Sequence, residues 1–497
     1  MKSFFKAALA AVLATAMLAG CSFGSGSKSN ENEQSTFRVM YYDENQFFQD
    51  YGMLFTALYP NIEIEVVSTQ RMYRQETTDY EAAFKTFIEE EKPDLIMLSG
   101  DQYKKYAEEG MLYDLSAFIE KDKYNTEGIV PGMLDYLKEL GGGQLFAMAP
   151  TFHSSALMYN KALFDKYNVP YPTDKMTWEQ IYQLARQFPT EGEPMERVFG
   201  LKMGWNEDLF DLASTLAQAQ GLTYVNAEKK QMTINSDSWK STIQTAYDMI
   251  KSDTLYFESK YQDTGGFSGS YEDYLMRDPF LSGRLAMTIG ETYMINQIKE
   301  AKNYLTDSDK IVSDWDLVTP PVSSQNPDST TYMNFYNLFA ITESSANKEA
   351  AWQFLSYITS DEYARVKAKS GFNNGFPIRT QYIKGEEDRN YAAFYSLKPA
   401  SVNMYKDYDK LSQAFQMGFW SLMSEELAKF KDGTVSLDEA LSNIQLKGDE
   451  LLQTPDPEKG EEASVMPVPR VEVESGSLEE PAENAGESEQ TGETAVE

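Results

Sequence analysis

The sequence predicts an α/β protein in two lobes, the second rich in helix, and three observations predict it. Between residues 37 and 110, short apolar or alternating segments take turns with segments of helical period, the pattern of a mainly parallel sheet covered by helices. The folding body, residues 36–453, is too long for one ordinary hydrophobic core. Beyond its first third the helical period dominates.

Phe37-Arg38-Val39-Met40-Tyr41 reads as the first strand. Phe47, Phe48, Tyr51, Phe55 and Leu58 then recur at helical spacing, and Pro60 stops that helix. Ile62, Ile64 and Val66 alternate with Glu63 and Glu65, a strand with one wet face. A helix over 79–91, a strand Asp94–Leu98 and a helix over 101–109 closed by Gly110 complete the opening lobe. Gly143 to Tyr159 reads as two apolar strands broken by Pro150, fit to run from one lobe into the other. Thr177 with Gln180 forms a capping box ahead of Ile181, Leu184, Ala185 and Phe188. Trp239, Ile243, Ala246, Tyr247 and Ile250 mark a second amphipathic helix. Ala350, Ala351, Phe354, Leu355 and Ile358 mark a third, capped near Asn347, and 405–452 reads as helical throughout.

Both ends fall outside this body. Lys2 and Lys6 precede an apolar run, Ala7 to Ala19, of signal-peptide length. It ends in Leu18-Ala19-Gly20-Cys21, which resembles the bacterial lipobox at all four positions. That resemblance implies removal of residues 1–20 and lipidation of Cys21, with residues 21–35 as a flexible tether. Cys21 is the only cysteine, so disulfides within the chain and cysteine metal sites are excluded. At the other end, 454–497 is strongly acidic and lacks aromatic residues, a composition that predicts disorder.

The net charge of −33 argues against a nucleic-acid partner. Thirty-two Tyr and 28 Phe give many flat apolar faces, and tyrosine adds a hydroxyl suited to sugars. No Walker loop, HExxH pair, EF-hand loop or nucleophile elbow is present, and one histidine leaves little for Ser-His chemistry. Neither an enzyme nor a cofactor is expected.

Three segments together resemble the extracellular solute-binding proteins that include the maltose-binding protein. The first is Gly143 to Pro150 with Ala156-Leu157-Met158-Tyr159-Asn160-Lys161, continuing through Leu163-Phe164 to Thr177-Trp178. The second is Phe280 to Gly290, and the third Asn347 to Leu355. The resemblance implies a type II periplasmic-binding-protein-like fold with a hinge and an interlobe cleft. It places crossings near 150–155, 278–286 and 328–335. The lobes would then be 36–150 plus 284–330, and 151–283 plus 331–453. It also implies a monomer on the outer face of the cell membrane that delivers a sugar or oligosaccharide to the permease of an ABC importer. A surface lipoprotein for adhesion or scaffolding, and a binder of peptides or other solutes, are the alternatives.

Carried onto this chain position by position, the resemblance selects Asp43 and Glu44 after the first strand and Asp101 after the third. It adds His153 past the first crossing, Trp205, Glu291 and Tyr293 after Gly290, and Tyr405. Gly290 is expected to let the backbone turn sharply. Carboxylates accept paired bonds from sugar hydroxyls, and rings cover the apolar face of a pyranose. Each residue has a plainer reading. Asp43 and Glu44 complement a helix dipole, Asp101 caps a helix, His153 is structural and Trp205 is core. Trp178 and Trp352 read as packing.

Overall fold

The computed structural model describes residues 34–73, 80–193, 196–261, 269–304, 311–372, 375–385, 388–400 and 408–455. Cys21, the signal segment, tether residues 21–33, Tyr405 and the acidic segment 456–497 lie outside the described residues, while Ser35, placed in the tether from the sequence, opens the first strand.

Thirteen strands position the site. They are β1 (Ser35–Tyr41), β2 (Ile62–Ser68), β3 (Leu95–Leu98), β4 (Ala147–Met148), β5 (Thr151–Ser154), β6 (Ala156–Asn160), β7 (Phe199–Lys202) and β8 (Leu255–Tyr256). The series continues with β9 (Leu285–Gly290), β10 (Trp315–Val318), β11 (Met333–Asn334), β12 (Leu338–Ile341) and β13 (Phe376–Pro377). One sheet has the order β2-β1-β3-β12-β4, the other β8-β7-β9-β6-β10, and a small third sheet joins β11-β5-β13.

The two large sheets follow one plan. In the first, β2, β1 and β3 are parallel, β12 runs against β3, and β4 runs against β12. In the second, β8, β7 and β9 are parallel, β6 runs against β9, and β10 runs against β6. Each sheet's one reversed strand arrives from the other sheet: β4 leads through β5 into β6, and β10 leads through β11 into β12. A strand that enters from the side where its neighbours leave must run against them. That side is therefore fixed in both sheets by connectivity alone, and open α/β sheets bind ligands beyond such strand ends.

Burial follows from this plan. All five residues of β6 are buried, with Ala156 and Met158 in one apolar cluster and Leu157 and Tyr159 in the other, as a strand covered on both faces requires. The alternation read for β2 holds, with Ile62 and Ile64 buried and Glu63 and Glu65 exposed. Gly290 departs from expectation. Its φ is not in the left-handed region; a Cβ there would lie 2.3 Å from Met158 Sδ on the paired strand, so close approach across the sheet demands glycine, not a turn.

The helices that matter are α1 (Tyr80–Glu91), α2 (Gly100–Glu108), α3 (Met133–Leu140), α4 (Trp178–Ala185), α5 (Leu209–Gln220), α6 (Asp237–Lys251), α7 (Thr292–Tyr304), α8 (Lys348–Ile358), α9 (Gln413–Lys431) and α10 (Leu437–Gln453). Gly110 takes a φ of +69° just past α2, as a helix stop should. Thr177 and Gln180 form both bonds of the capping box that starts α4. The apolar cluster of the second sheet draws its residues from α4, α5, α6, α9 and α10, which makes this the helix-rich lobe.

Four expectations change. The segment 405–452 is not one helix; α9 and α10 are separated at Asp432–Ser436, where Gly433 has a φ of +74°. The helix expected over 47–58 is interrupted by a π-helical turn, Phe48–Gly52, and Leu58 is exposed. Asn347 makes no side-chain cap for α8 and instead donates from Nδ2 to Asp94 Oδ2 (3.2 Å). The division into lobes also differs. β9 and β10, placed with the first lobe from the sequence, pair in the second sheet, while β12, placed with the second, pairs in the first. The crossing expected near 278–286 is therefore internal to the second lobe. The chain crosses at β4–β6, at β10–β12, and again between β13 and α9. On this last passage Arg389 donates to the Trp315 carbonyl (3.0 Å), and the Asn390 N–H donates to Asp316 (2.9 Å).

Inside the second lobe, Glu426 of α9 is fully buried and accepts from Lys447 (2.7 Å), Lys429 (3.0 Å) and Asn443 (3.0 Å). Burial alone would raise its pKa; these bonds override it and hold the carboxyl down to about 2.

Candidate functional site

The site is built where the strands end. β1 delivers Tyr42 and Asp43, β3 delivers Ser99, β7 delivers Met203 to Trp205, and β9 delivers Glu291. Between the two sets of ends stands the small third sheet. Its strands β5 and β11 pair antiparallel, Ser154 with Met333 and His153 with Asn334, and these are the two segments that pass between lobes.

His153, the only histidine in the sequence, lies at this junction. Its ring centroid is 5.1 Å from that of Tyr336. Gly375 packs so close that a Cβ there would be 3.0 Å from His153 Nε2. Burial lowers the imidazole pKa, and the Glu291 carboxylate opposes that shift.

Two cavities flank the junction. One, of about 440 Å³, lies in the first lobe beside Tyr42, Met97 and Ser99 and reaches Tyr336. The other, of about 390 Å³, lies in the second lobe beside Trp178, Trp205 and Asp211 and reaches Tyr332. Both sizes suit a small-molecule site. Tyr332 and Tyr336 bracket β11, so one short hinge segment contributes to both cavities.

Their polar groups differ. Trp178 is 3 % exposed, and its indole N–H is set against the Tyr332 hydroxyl. It lies beside Tyr332, whose phenol burial pushes well above its ordinary value against the pull of that indole. Burial, and then the charge of Asp208, raise the pKa of Asp211. Trp205 is 53 % exposed at the end of β7.

The sequence-selected residues fall into three groups. His153, Glu291 and Trp205 lie at the junction or in a cavity wall. Tyr293 is 67 % exposed in the first turn of α7, and its hydroxyl accepts from Gln297 Nε2 (3.0 Å). Asp43 lies at a helix N-terminus, as its plainer reading held, and there caps it by accepting from the Gln46 N–H (2.9 Å); Glu44 follows it, exposed, in the first turn. Asp101 is exposed in the first turn of α2 but is not its cap; Ser99 is, with Gln102 completing the box. Trp352 packs as expected, stacked 5.4 Å from Phe118. Sequence reasoning missed Tyr42, Tyr332 and Tyr336, and took Trp178 for packing alone. The available signal was position: Tyr332 and Tyr336 flank a crossing the sequence had located.

The profile of bacterial extracellular solute-binding proteins matches residues 28–365. The chain belongs to this family. It is a family of binding proteins, and its fold is the periplasmic-binding-protein-like one that the resemblance implied. Solved structures agree on the fold. An ABC substrate-binding protein of Listeria monocytogenes, in complex with cycloalternan, has 21% identity over 84% of this chain and 99% of its own, with a TM-score of 0.52. A sugar transporter of Rhizobium etli in an open conformation has 18% identity over 84% and 99%, with a TM-score of 0.57. The sugar-binding protein MalE of Xanthomonas citri has 16% identity over 84% and 97%, also at 0.57. Among the described residues no helix is long and apolar enough to cross a membrane, and no cluster suits a metal ion.

Proposed function

We propose that this solute-binding protein captures a sugar or oligosaccharide between its two lobes and hands it to the permease of an ABC importer. In this reading it acts as a monomer held on the outer face of the cell membrane through lipidated Cys21. The observation that carries the reading is the pair of cavities at facing strand ends, joined by the β5–β11 hinge and edged by Tyr42, Tyr336 and Trp205. Flat rings suit the apolar faces of pyranoses, while the Asp211 carboxylate suits hydroxyls. The solved relatives that bind cycloalternan or other sugars support the same ligand class. Trp205, Tyr293 and Glu291 would touch the ligand from the second lobe, with His153 at the hinge and Glu44 and Asp101 on the first-lobe rim.

A thermal-shift screen against mono- and oligosaccharides, peptides and polyols tests the ligand class, because a ligand that binds only the native state raises its stability. Sugars are expected to raise the unfolding temperature; a response confined to peptides would overturn the reading. Small-angle scattering on protein lacking residues 456–497 tests closure, with a smaller radius expected at saturating ligand.

A further inference from the structure

The short helix Met53–Leu58 turns an apolar face outward. Met53, Leu54, Ala57 and Leu58 are all exposed, Met53 at 63 %. Six large aliphatic side chains are exposed among the described residues, and three of the six lie in this one helix. Its surroundings carry little charge. Residues 51–62 hold no charged side chain, in a chain of net charge −33. The rings of Phe47, Phe55 and Phe37 lie 5.5, 5.1 and 5.5 Å from that of Phe354 in α8, which sets the helix over one face of the first sheet. Ile64 pairs with Phe37 and shares that face, so Glu63 and Glu65 of β2 point to the other side, where Glu65 meets Arg38 (3.1 Å). At the end of the helix, burial and then the charge of Glu362 raise the pKa of Tyr59.

This face lies where the tether joins the fold. The Ser35 N–H donates to the Asn61 carbonyl (3.0 Å), three residues beyond Leu58. Ser35 opens β1, and the far end of β1 delivers Tyr42 and Asp43 to the cleft, so the strand holds the two ends about 20 Å apart. Twelve residues, 22–33, separate Cys21 from Gln34; they reach at most about 43 Å, and Lys28 is the only charge before Glu31.

We infer that the outward face of Met53–Leu58 rests in the interface of the phospholipid bilayer that holds the anchor, with the cleft turned away from the membrane. This rests on lipidation of Cys21, part of the function proposed above, and adds a second contact to it. Thioether and hydrocarbon side chains leave water for the acyl boundary, and a charge-free approach avoids repulsion from anionic head groups. Four side chains are too few to hold a protein on a membrane alone, but a short tether makes their contact intramolecular, at high effective concentration.

The test uses the full mature chain, lipidated at Cys21, on phosphatidylcholine vesicles, with an environment-sensitive fluorophore on Leu58→Cys. Lipidation leaves Cys21 without a free thiol, so the label takes one position. Leu446→Cys, at an exposed site in the second lobe, is the control, and the labelled chain with Cys21→Ser in buffer is the aqueous reference. On vesicles the label at 58 is expected to emit at shorter wavelength than the reference and to be quenched by nitroxide-bearing lipids, while the label at 446 keeps aqueous emission. Met53→Gln together with Leu54→Gln is expected to return the emission at 58 toward the reference. Equal emission at both positions in protein that floats with the vesicles, or a shift untouched by the double variant, overturns the inference and leaves the anchor standing. A short-wavelength label at 58 in the Cys21→Ser chain without vesicles means that the protein itself covers the face, and overturns it as well. Failure of the mature chain to float with vesicles overturns the anchor and the inference together.

Discussion

The two large sheets share a strand order and one reversed strand each, yet their exposed ends carry different chemistry. At the first sheet, a capping box at Ser99 and Gln102 stands beside a hollow lined by Met40, Met72 and Met97 and by the tyrosines Tyr42, Tyr80 and Tyr336. At the second, the capping box at Thr177 and Gln180 starts the helix whose first residue, Trp178, stands at the cavity wall with its N–H against Tyr332. Topology therefore fixes where the two cavities lie, and a few side chains at the strand tips fix what each lobe presents there. The lobes also differ in their supports. The second is braced by the α9–α10 hairpin around Glu426, a feature with no counterpart in the first lobe among the described residues.

That hairpin offers the largest test of the difference. Glu426→Ala is expected to cost about 1–3 kcal/mol by removing three bonds, two of them to charged partners. Hydrogen exchange should show protection lost from α9 and α10 before β1–β3; uniform loss would mean that the lobes unfold as one unit. The carboxyl is held below its unfolded value of 4.5, so its contribution is complete above that value and is lost as pH falls toward about 2. Glu426→Gln should accordingly flatten the decline in unfolding temperature over that acid range.

Next in size is Trp205→Ala. Losing roughly 80–100 Å² of ring contact is worth about 2 kcal/mol, roughly a thirtyfold rise in Kd by calorimetry. Unchanged affinity would take Trp205 out of the second-lobe contact surface. Tyr293→Ala is expected to weaken binding about tenfold with near-normal thermal stability, since its ring is largely exposed.

How much of this could be read from the chain depended on whether the signal was local. The alternation of β2, the capping box at Thr177 and the stop at Gly110 are written in neighbouring residues, and each was legible. Gly290 was recognised as necessary for the wrong reason, because its constraint comes from Met158 across the sheet. β9, β10 and β12 were assigned to the wrong lobes because pairing partners far off in the chain leave no trace in periodicity. Asn347 reads as a cap, but its amide is captured by Asp94, a tertiary competitor. In the site, residue types with several uses were hardest: Asp43 was equally plausible as a helix-dipole charge or a ligand group, and Tyr336 had no periodic neighbours to set it apart.

Smaller effects separate the two capping boxes. Ser99→Ala and Thr177→Ala should each cost about 1 kcal/mol of stability by denaturant unfolding. Thr177→Ala, which loosens the turn carrying Trp178 in the second-lobe cavity wall, should also raise Kd in calorimetry. The smallest effect concerns His153. Its folded pKa lies below 6.5, so between about pH 7 and the folded value the unfolded chain binds more protons, and stability falls on acidification. His153→Gln should remove this shallow slope, which no other side chain with an ordinary pKa would produce.

The narrow ribbon of β11, β5 and β13 has a mechanical consequence. Two rungs of backbone bonding tie the passing strands side by side, so neither can flex without carrying its neighbour. Rotation about such a strip is spread over a few torsions and leaves no amide or carbonyl stripped of its partner. If the lobes close as proposed, the swing would cost little enthalpy, and the energy for it would come almost wholly from whatever lies between them.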